Sequence, residues 1–166
     1  MTLLELGKKH GTDKGSTHAY LPIYDDILTM LKPKDLLEVG VGRGGSLRLW
    51  RDYCPNTQVY GLDVKERHLF QDDRITTMLA NSTKTAEVDR VLQDQTFDLI
   101  IDDGSHKSSD QYETYLNLSP RLNTGGVYVI EDVIDLSSLL KIPCIEIIDL
   151  RKISHRYDDM LVVFGR

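Results

Sequence analysis

Residues 36–46 read LLEVGVGRGGS, in which a run of apolar residues leads directly into four glycines. The apolar run predicts a buried strand, and Ser46 is placed to cap a helix after the glycines. Glycine has no Cβ, so the backbone between the strand and the helix can turn sharply and approach a ligand closely. The order of strand, glycine-rich loop and helix therefore predicts a ligand-binding loop beside a sheet.

The rest of the chain alternates short apolar segments with polar or amphipathic stretches, most of them of helix length. After the first strand, further strands are predicted in QVYGLDV, RITTMLA, FDLIIDD, GGVYVIED, CIEIIDL and MLVVFGR. Alternating strands and helices predict an α/β, doubly wound, mostly parallel sheet. Only a short polar turn separates the last two segments, so they should form an antiparallel hairpin. The expected fold is a Rossmann-like sheet of seven strands, with ligands beyond the carboxyl ends of the strands.

Two helices are predicted before the first strand, in TLLELGKK and HAYLPIYDDILTMLK, and the polar loop GTDKGST joins them. Pro33 ends the second helix. A chain of 166 residues has the length of one domain. We therefore predict a single domain over residues 1–166, with the N-terminal helices and the GTDK loop in 1–35 and the Rossmann-like core in 36–166.

Composition narrows the function classes. The net charge of −6 argues against nucleic-acid binding, which generally needs a basic face. No apolar run approaches the ~20 residues of a membrane span, and the N-terminus lacks a signal-peptide pattern, so a cytoplasmic location is expected.

Cys54 and Cys144 are far apart and suggest small core residues, not a disulfide framework or a thiolate metal site. The basic segment at residues 151–156 is interpreted as a solvated turn, with an anchor for an anionic substrate as the alternative.

The glycine loop alone leaves the cofactor open. Gly40, Gly42 and Gly45 also fit the spacing GxGxxG, which would permit a nicotinamide or flavin dinucleotide. Glu38, in the strand before the loop, favours a ligand that carries an ammonium or sulfonium group. The two helices before the strand, and the lack of length for a separate substrate domain, also disfavour a dinucleotide dehydrogenase.

The loop EVGVGRGG, the acidic residue closing VYGLDV and the terminal strand hairpin resemble class I S-adenosylmethionine-dependent methyltransferases. The resemblance runs from Leu36 onward. It implies that the loop lines the methionine part of the cofactor, that the acid binds both ribose hydroxyls, and that the end of the third strand contacts adenine. The alternatives are a turn residue for the acid and a helix cap after the third strand. The implied cofactor residues are Glu38, Gly40, Gly42, Arg43, Gly44, Asp63, Val64, Asn81 and Ser82.

Acidic side chains follow two neighbouring strands of the predicted sheet. DLIIDDGSH ends the fourth strand and GGVYVIEDV the fifth, so their acids should meet at one sheet edge beside the glycine loop. Crowded carboxylates repel one another unless a cation neutralises them, and oxygen ligands select Mg²⁺ or another hard divalent ion. We predict Asp103, Glu131 and Asp132 as the metal ligands. The alternative is a set of helix caps and solvated turn carboxylates.

His106 is predicted to lie just outside this metal as the general base, because an imidazole titrates near neutral pH. A metal that holds two adjacent substrate oxygens lowers the pKa of a hydroxyl, and the oxygen can then attack the cofactor's methyl carbon as His106 takes the proton. Asp103 and His106 are thus the predicted catalytic residues for O-methylation. Asp102 either holds the amino end of the cofactor or caps the turn.

DDGSH with a later ED resembles the metal-dependent macrocin- and mycinamicin-type sugar O-methyltransferases and their cephalosporin hydroxylase-like relatives. The segment HGTDKGSTHAYLPIYDDIL is a motif of the same group. It implies that the GTDK loop lies near the cofactor and the substrate entrance, so Thr12 and Lys14 join the predicted cofactor site. Asp13, Tyr20 and Tyr24 are further candidates. A solvated loop, with tyrosines packing the second helix, is the alternative.

The predicted function is Mg²⁺-dependent methyl transfer from S-adenosylmethionine to a hydroxyl of a sugar or similar polyol. The expected partner is a small-molecule acceptor, with neither nucleic acid nor membrane, and the chain is compatible with a homo-oligomer. It departs from the macrolide enzymes in having only two helices before Leu36 and no long lid, which leaves the acceptor open. The alternatives are a metal-independent small-molecule methyltransferase and a non-catalytic cofactor-binding module.

Overall fold

Residues 1–143 and 145–165 are described by a computed structural model of the chain. The helices are α1 (Leu3–His10), α2 (Leu21–Leu31), α3 (Gly45–Tyr53), α4 (Thr85–Leu92), α5 (Ser108–Leu118) and α6 (Arg151–Ser154). The strands are β1 (Asp35–Val39), β2 (Gln58–Asp63), β3 (Gln71–Asp72), β4 (Ile75–Leu79), β5 (Phe97–Asp102), β6 (Leu122–Ile130), β7 (Glu146–Asp149) and β8 (Met160–Gly165).

Over the described ranges the strands form one sheet in the order β3-β4-β2-β1-β5-β6-β8-β7. β1, β2, β4, β5 and β6 are parallel, and β8 runs antiparallel to both β6 and β7, which confirms the predicted fold and terminal hairpin. The described sheet has eight strands and not the predicted seven. The additional strand, β3, has two residues and pairs antiparallel with β4. A segment so short carries no alternation from which it could be predicted.

The core lies on both faces of the sheet because successive strand side chains point to opposite sides. In β5, Leu99 and Ile101 pack with the side chains of α1, α2 and α3, whereas Ile100 packs with those of α4 and α5. Trp50 of α3 is fully buried. No helix in the described part of the chain is long and apolar enough to cross a membrane.

The N-terminal segment packs against the glycine loop. Thr2 and Glu5 form a capping box at the start of α1, and Gly11 ends the helix with a φ of 68°. A Cβ on Gly45, the first residue of α3, would lie 2.9 Å from the carbonyl oxygen of His10. This close approach holds the GTDK loop, which forms a short 3₁₀ turn at Asp13–Gly15, beside the carboxyl end of β1.

The basic segment at residues 151–156 begins as the short helix α6, not as the predicted simple turn. Arg151 pairs with Asp149, and Arg156 pairs with Asp158. Because each guanidinium has a local carboxylate partner, the segment offers little free charge to an anionic substrate. Cys54 is half-buried and packs beside the core. Cys144, in the predicted strand CIEIIDL, and Arg166, in MLVVFGR, lie outside the described residues.

Candidate active site

A cavity of about 760 Å³ opens at the carboxyl ends of the parallel strands. Backbone hydrogen bonds continue past the strand ends and bring the loops together: Gly40 donates to Leu62, Asp103 to Val39, and Glu131 to Asp102. Most residues of the predicted site line this cavity. They are Thr12, Gly40, Gly42, Arg43, Asp63, Val64, Asn81, Ser82, Asp102, Asp103, His106 and Asp132.

Three glycines of the loop have positive φ angles, and they occupy different surroundings. Gly40 has a φ of 94°, and a Cβ there would lie 2.0 Å from the carbonyl oxygen of Asp103. Only glycine therefore lets the loop after β1 contact the loop after β5. Gly42 has a φ of 54° with open space around its missing Cβ, so the loop leaves room for a ligand. Gly44 packs against Phe70, outside the cavity wall.

Asp63, at the end of β2, is held by donors around its carboxylate. Its Oδ2 accepts hydrogen bonds from the amides of Val41 (3.0 Å) and Gly42 (3.2 Å) and contacts Nδ1 of His68 (2.9 Å). Burial raises the pKa of Asp63, but the bonds from His68 and the backbone amides outweigh it and lower the pKa below its ordinary value. The carboxylate that closes β2 is thus tied to the glycine loop after β1.

Asn81 and Ser82, after the end of β4, make local hydrogen bonds. Oδ1 of Asn81 accepts from the amide and hydroxyl of Thr83 in a local turn before α4, and Ser82 shares a hydrogen bond with Thr114. Both residues nevertheless line the cavity. Neither residue caps α4, which begins at Thr85 after Lys84 without a side-chain cap, so the helix-cap interpretation is wrong for this strand end.

Asp102 is buried in the cavity wall with one oxygen unsatisfied. Its Oδ1 accepts from the amide of Gly104, as a turn cap would. Its Oδ2 and Oε1 of Gln111 have no hydrogen-bond partner among the described residues. Burial raises the pKa of Asp102 to about 7. Two unsatisfied acceptors in the wall suit a ligand that brings N–H donors, such as the amino groups of S-adenosylmethionine.

Three residues predicted for the site lie behind the cavity wall and form a buried charge cluster. Nζ of Lys14 lies 2.6 Å from Oε2 of Glu131, 2.8 Å from Oδ2 of Asp103 and 3.6 Å from Oε1 of Glu38. Burial lowers the pKa of Lys14, but the charges of these carboxylates outweigh it and raise the pKa well above its ordinary value. Lys14 is thus an internal counter-ion of the acids and not part of the cavity lining.

The two glutamates of this cluster differ from their predicted positions. Glu38 accepts hydrogen bonds from the Ser46 hydroxyl and the Trp50 indole, so it faces α3 and not a ligand. Glu131 accepts from the Tyr24 hydroxyl and from Lys14. Glu131 is buried against the N-terminal segment, whereas Asp132, in a turn with a φ of 53°, contacts Tyr20 of that segment and also lines the cavity.

A second acidic group lies in the cavity. Asp103, His106 and Asp132 can each offer one ligand atom such that all three atoms lie within 4.8 Å of one another. The two carboxylates suit a hard divalent cation, whereas the imidazole is a ligand more typical of zinc or iron, which fits a role for His106 beside the metal and not on it. His106 has a φ of 57° and Asp132 a φ of 53°, so both turns project these side chains away from regular strand geometry. The structure thus brings together two of the three predicted metal ligands and the predicted base.

Residues not predicted from the sequence also contact this site. His68 touches Asp63, and His18 lies 3.5 Å from Asp132 and 3.1 Å from Asp159. His18 lies within the quoted motif HGTDKGSTHAYLPIYDDIL, but an isolated histidine there carries no pattern from which a role could be predicted. Asp159 follows a turn far along the chain and carries no local pattern.

The fold and the cavity define a Rossmann-like α/β protein with a ligand site at the carboxyl ends of its strands and a group of side chains that could bind a metal. The methyltransferase domain family matches residues 37–133, and the chain belongs to that family.

Among curated relatives, a Streptomyces olivaceus tetracenomycin rhamnosyl 3'-O-methyltransferase is 35% identical over 139 residues, covering 77% of this chain and 36% of the relative. The mycinamicin VI 2''-O-methyltransferase of Micromonospora griseorubida is 34% identical over 142 residues, covering 79% of this chain and 36% of the relative. The chain thus spans just over a third of the length of these relatives.

Among solved structures, the MycE methyltransferase of the mycinamycin pathway, in complex with Mg and S-adenosylhomocysteine, has a TM-score of 0.75 and 34% identity. The match covers 80% of this chain and 37% of MycE. A putative caffeoyl-CoA O-methyltransferase from Staphylococcus aureus has a TM-score of 0.66 and 14% identity, covering 86% of this chain and 80% of that one. This second likeness shows the shared fold alone.

Proposed function

We propose that this protein is a metal-dependent O-methyltransferase that transfers a methyl group from S-adenosylmethionine to a hydroxyl of a sugar or similar polyol. One observation carries the proposal: the group formed by Asp103, His106 and Asp132 lines the same cavity as the glycine loop and Asp63. A methyl donor and a metal-held hydroxyl could therefore meet in one space. The relatives that act on sugar hydroxyls of glycosylated compounds support this acceptor class.

In the proposed site, residues at the ends of three strands contact three different parts of the cofactor. Asp63 presents a carboxylate to the ribose hydroxyls, Asn81 and Ser82 border the adenine, and the unpaired oxygen of Asp102 accepts from an amino group. S-adenosylmethionine bound there supplies the electrophilic methyl carbon. The chain's own contribution is to hold that ligand at a fixed distance and orientation from the acceptor.

Asp103 and Asp132 are proposed as the carboxylate ligands of the metal. A hard divalent cation there supplies positive charge that lowers the pKa of an acceptor hydroxyl. His106 removes the hydroxyl proton, since its ring lies beside Asp132 and is only half-buried. Glu131 is assigned to the internal cluster with Lys14, because Lys14 already bridges Glu131 and Asp103 at hydrogen-bond distances.

The acceptor is proposed to be a sugar or a glycosylated natural product, and the cytoplasm stays the expected location. Most of the length of the similar enzymes has no counterpart in this chain. The single-domain organisation and the homo-oligomer are therefore proposals too, and the acceptor is proposed only as a class of compound.

Calorimetry tests this function without a guess about the acceptor. S-adenosylhomocysteine is titrated first in EDTA. Mn²⁺ or Mg²⁺ is then titrated into the saturated complex in a second preparation from which EDTA has been removed. We expect the cofactor product to bind in EDTA, and the metal to give a heat that Asp103→Ala abolishes because a carboxylate ligand is lost. A protein that does not bind S-adenosylhomocysteine would contradict the methyltransferase proposal.

The same preparation separates the alternatives. Methyl transfer that persists in EDTA would identify a metal-independent methyltransferase. Cofactor binding without turnover on a panel of vicinal-diol glycosides would identify a binding module.

A further inference from the structure

A buried histidine and aspartate lie beneath the candidate metal group, outside the cavity lining. Asp159 is fully buried and His18 is 7% exposed. Nδ1 of His18 lies 3.1 Å from Oδ1 of Asp159, and the amide of Ala19 donates to Oδ2 of Asp159 at 3.3 Å. A carboxylate buried this deeply is costly unless it is paired, so this contact fixes the position of both side chains.

This pair is connected directly to Asp132. Nδ1 of His18 also lies 3.5 Å from Oδ1 of Asp132, and the hydroxyl of Tyr20 donates to the same oxygen at 2.7 Å. The rings of His18 and Tyr20 stack with their centroids 4.8 Å apart. Two neighbouring side chains of the N-terminal segment therefore contact one oxygen of the Asp132 carboxylate.

The hydrogen-bonding chemistry determines how His18 is oriented. Both groups that face its Nδ1 are carboxylate oxygens, which accept hydrogen bonds, so Nδ1 carries the proton. This N–H donates to Oδ1 of Asp159 at 3.1 Å, and Asp159 thereby fixes the imidazole with its Nδ1 edge beside Oδ1 of Asp132, 3.5 Å away. The other carboxylate oxygen, Oδ2 of Asp132, lies 3.8 Å from Nδ1 of His106 and stays available to a metal.

We propose that His18 and Asp159 are positioning residues, which hold Oδ1 of Asp132 so that Oδ2 is presented to the metal. This inference rests on the proposed function, because it concerns the metal used in that reaction. Asp159 immediately precedes β8, so the C-terminal hairpin becomes part of the metal site's support. Neither residue is assigned contact with the substrate or the cofactor.

The test measures metal affinity and not turnover. Mn²⁺ is titrated into protein saturated with S-adenosylhomocysteine, and free Mn²⁺ is followed by electron paramagnetic resonance. Asp159→Asn keeps the shape of the side chain but can turn an N–H toward His18, and His18→Phe keeps the stacking on Tyr20 but removes the donor. We expect each change to weaken Mn²⁺ binding about 10- to 100-fold, as is usual for residues that orient metal ligands.

Two further variants distinguish positioning from general damage. His18→Asn places an amide N–H where Nδ1 of His18 stands, and we expect it to recover most of the Mn²⁺ affinity. His10→Phe removes another histidine–aspartate contact, the 2.8 Å pair with Asp52 between α1 and α3, and should leave Mn²⁺ binding unchanged. Binding of S-adenosylhomocysteine in EDTA should stay at the wild-type value in all four variants.

Wild-type Mn²⁺ affinity in both Asp159→Asn and His18→Phe would overturn this inference and leave the proposed function intact. An equal loss of S-adenosylhomocysteine and Mn²⁺ binding would also overturn it, because the pair would then support the fold in general. A wild-type protein that binds S-adenosylhomocysteine but no Mn²⁺ would refute the metal-dependent function, and the positioning role with it.

Discussion

At the scale of the residue, His106 combines an unusual backbone with a half-buried ring. It has a φ of 57°, and its Nδ1 has no hydrogen-bond partner among the described residues. Its distance of 3.8 Å from Asp132 is too long for a hydrogen bond, so the ring is not held by the acid as a structural pair would be. This arrangement suits a side chain that exchanges a proton with a bound acceptor.

His106→Gln should therefore lower the rate of methyl transfer about 10²- to 10⁴-fold, the usual contribution of a general base. Binding of S-adenosylhomocysteine should be unchanged. His155→Gln is the matched control, because His155 is an exposed histidine with a φ of 59° in the turn after α6. Rates are measured by methyl transfer to a glycoside, and a wild-type rate for His106→Gln would contradict the assignment.

Lys14 is the second residue whose environment predicts a clear outcome. Lys14→Met keeps the length of the buried side chain but leaves Glu131 and Glu38 without their cation. We expect the free energy of unfolding in urea to fall by about 3–5 kcal/mol, since breaking a buried ion pair leaves an uncompensated charge.

Lys9→Met is the control for Lys14→Met. The Lys9 side chain is 50% exposed in its pair with Asp52, so its loss should cost no more than about 1 kcal/mol. Equal costs for the two substitutions would argue against a buried counter-ion role for Lys14.

At the scale of the element, Asp63 ties the end of β2 to the glycine loop after β1. The hydrogen bonds that lower its pKa stabilise the folded state only while the carboxylate is ionised. This stability is present above the ordinary aspartate pKa of 3.8 and is lost as pH falls through the lower pKa of the folded protein. Acid should therefore loosen the connection between β2 and the loop.

Asp63→Asn should lower stability near neutral pH and flatten its decline in acid. Urea unfolding from about pH 6 downward measures both effects. Asp73→Asn is the control, because the Asp73 side chain is 81% exposed. Parallel pH profiles for wild type and Asp63→Asn would show that the carboxylate's bonds add nothing to the fold.

At the scale of the whole molecule, the sheet brings distant segments to one edge. Lys14 and Glu131 are 117 residues apart along the chain, and His18 and Asp159 are 141 apart. The candidate metal group is supported by the N-terminal segment and by the C-terminal hairpin. The chain spans just over a third of the length of its curated relatives, and the glycine loop, the acids and their buried partners lie within the described residues.

The sequence by itself determined the features that arise from local pattern. Alternating segments predicted the doubly wound sheet, the glycines predicted the loop, and the acids after two strands predicted a charged sheet edge, because the ends of parallel strands must meet there. The two-residue β3 gave too little pattern to predict. Asp63, Asp103 and Asp132 could be placed at the site because each stands at or just after a strand end.

Only the tertiary structure decided which acids face the cavity and which face the core. Whether Glu131 meets a metal or Lys14 depends on how the N-terminal segment packs against β6, and a strand pattern does not contain that distance. Similarly, the hydrogen bond between Glu38 and Ser46 depends on how α3 packs against β1. The contact between His18 and Asp159 could not be predicted from the sequence either, because the two residues are 141 positions apart. Burial and long-range pairing are properties of packing and not of local sequence.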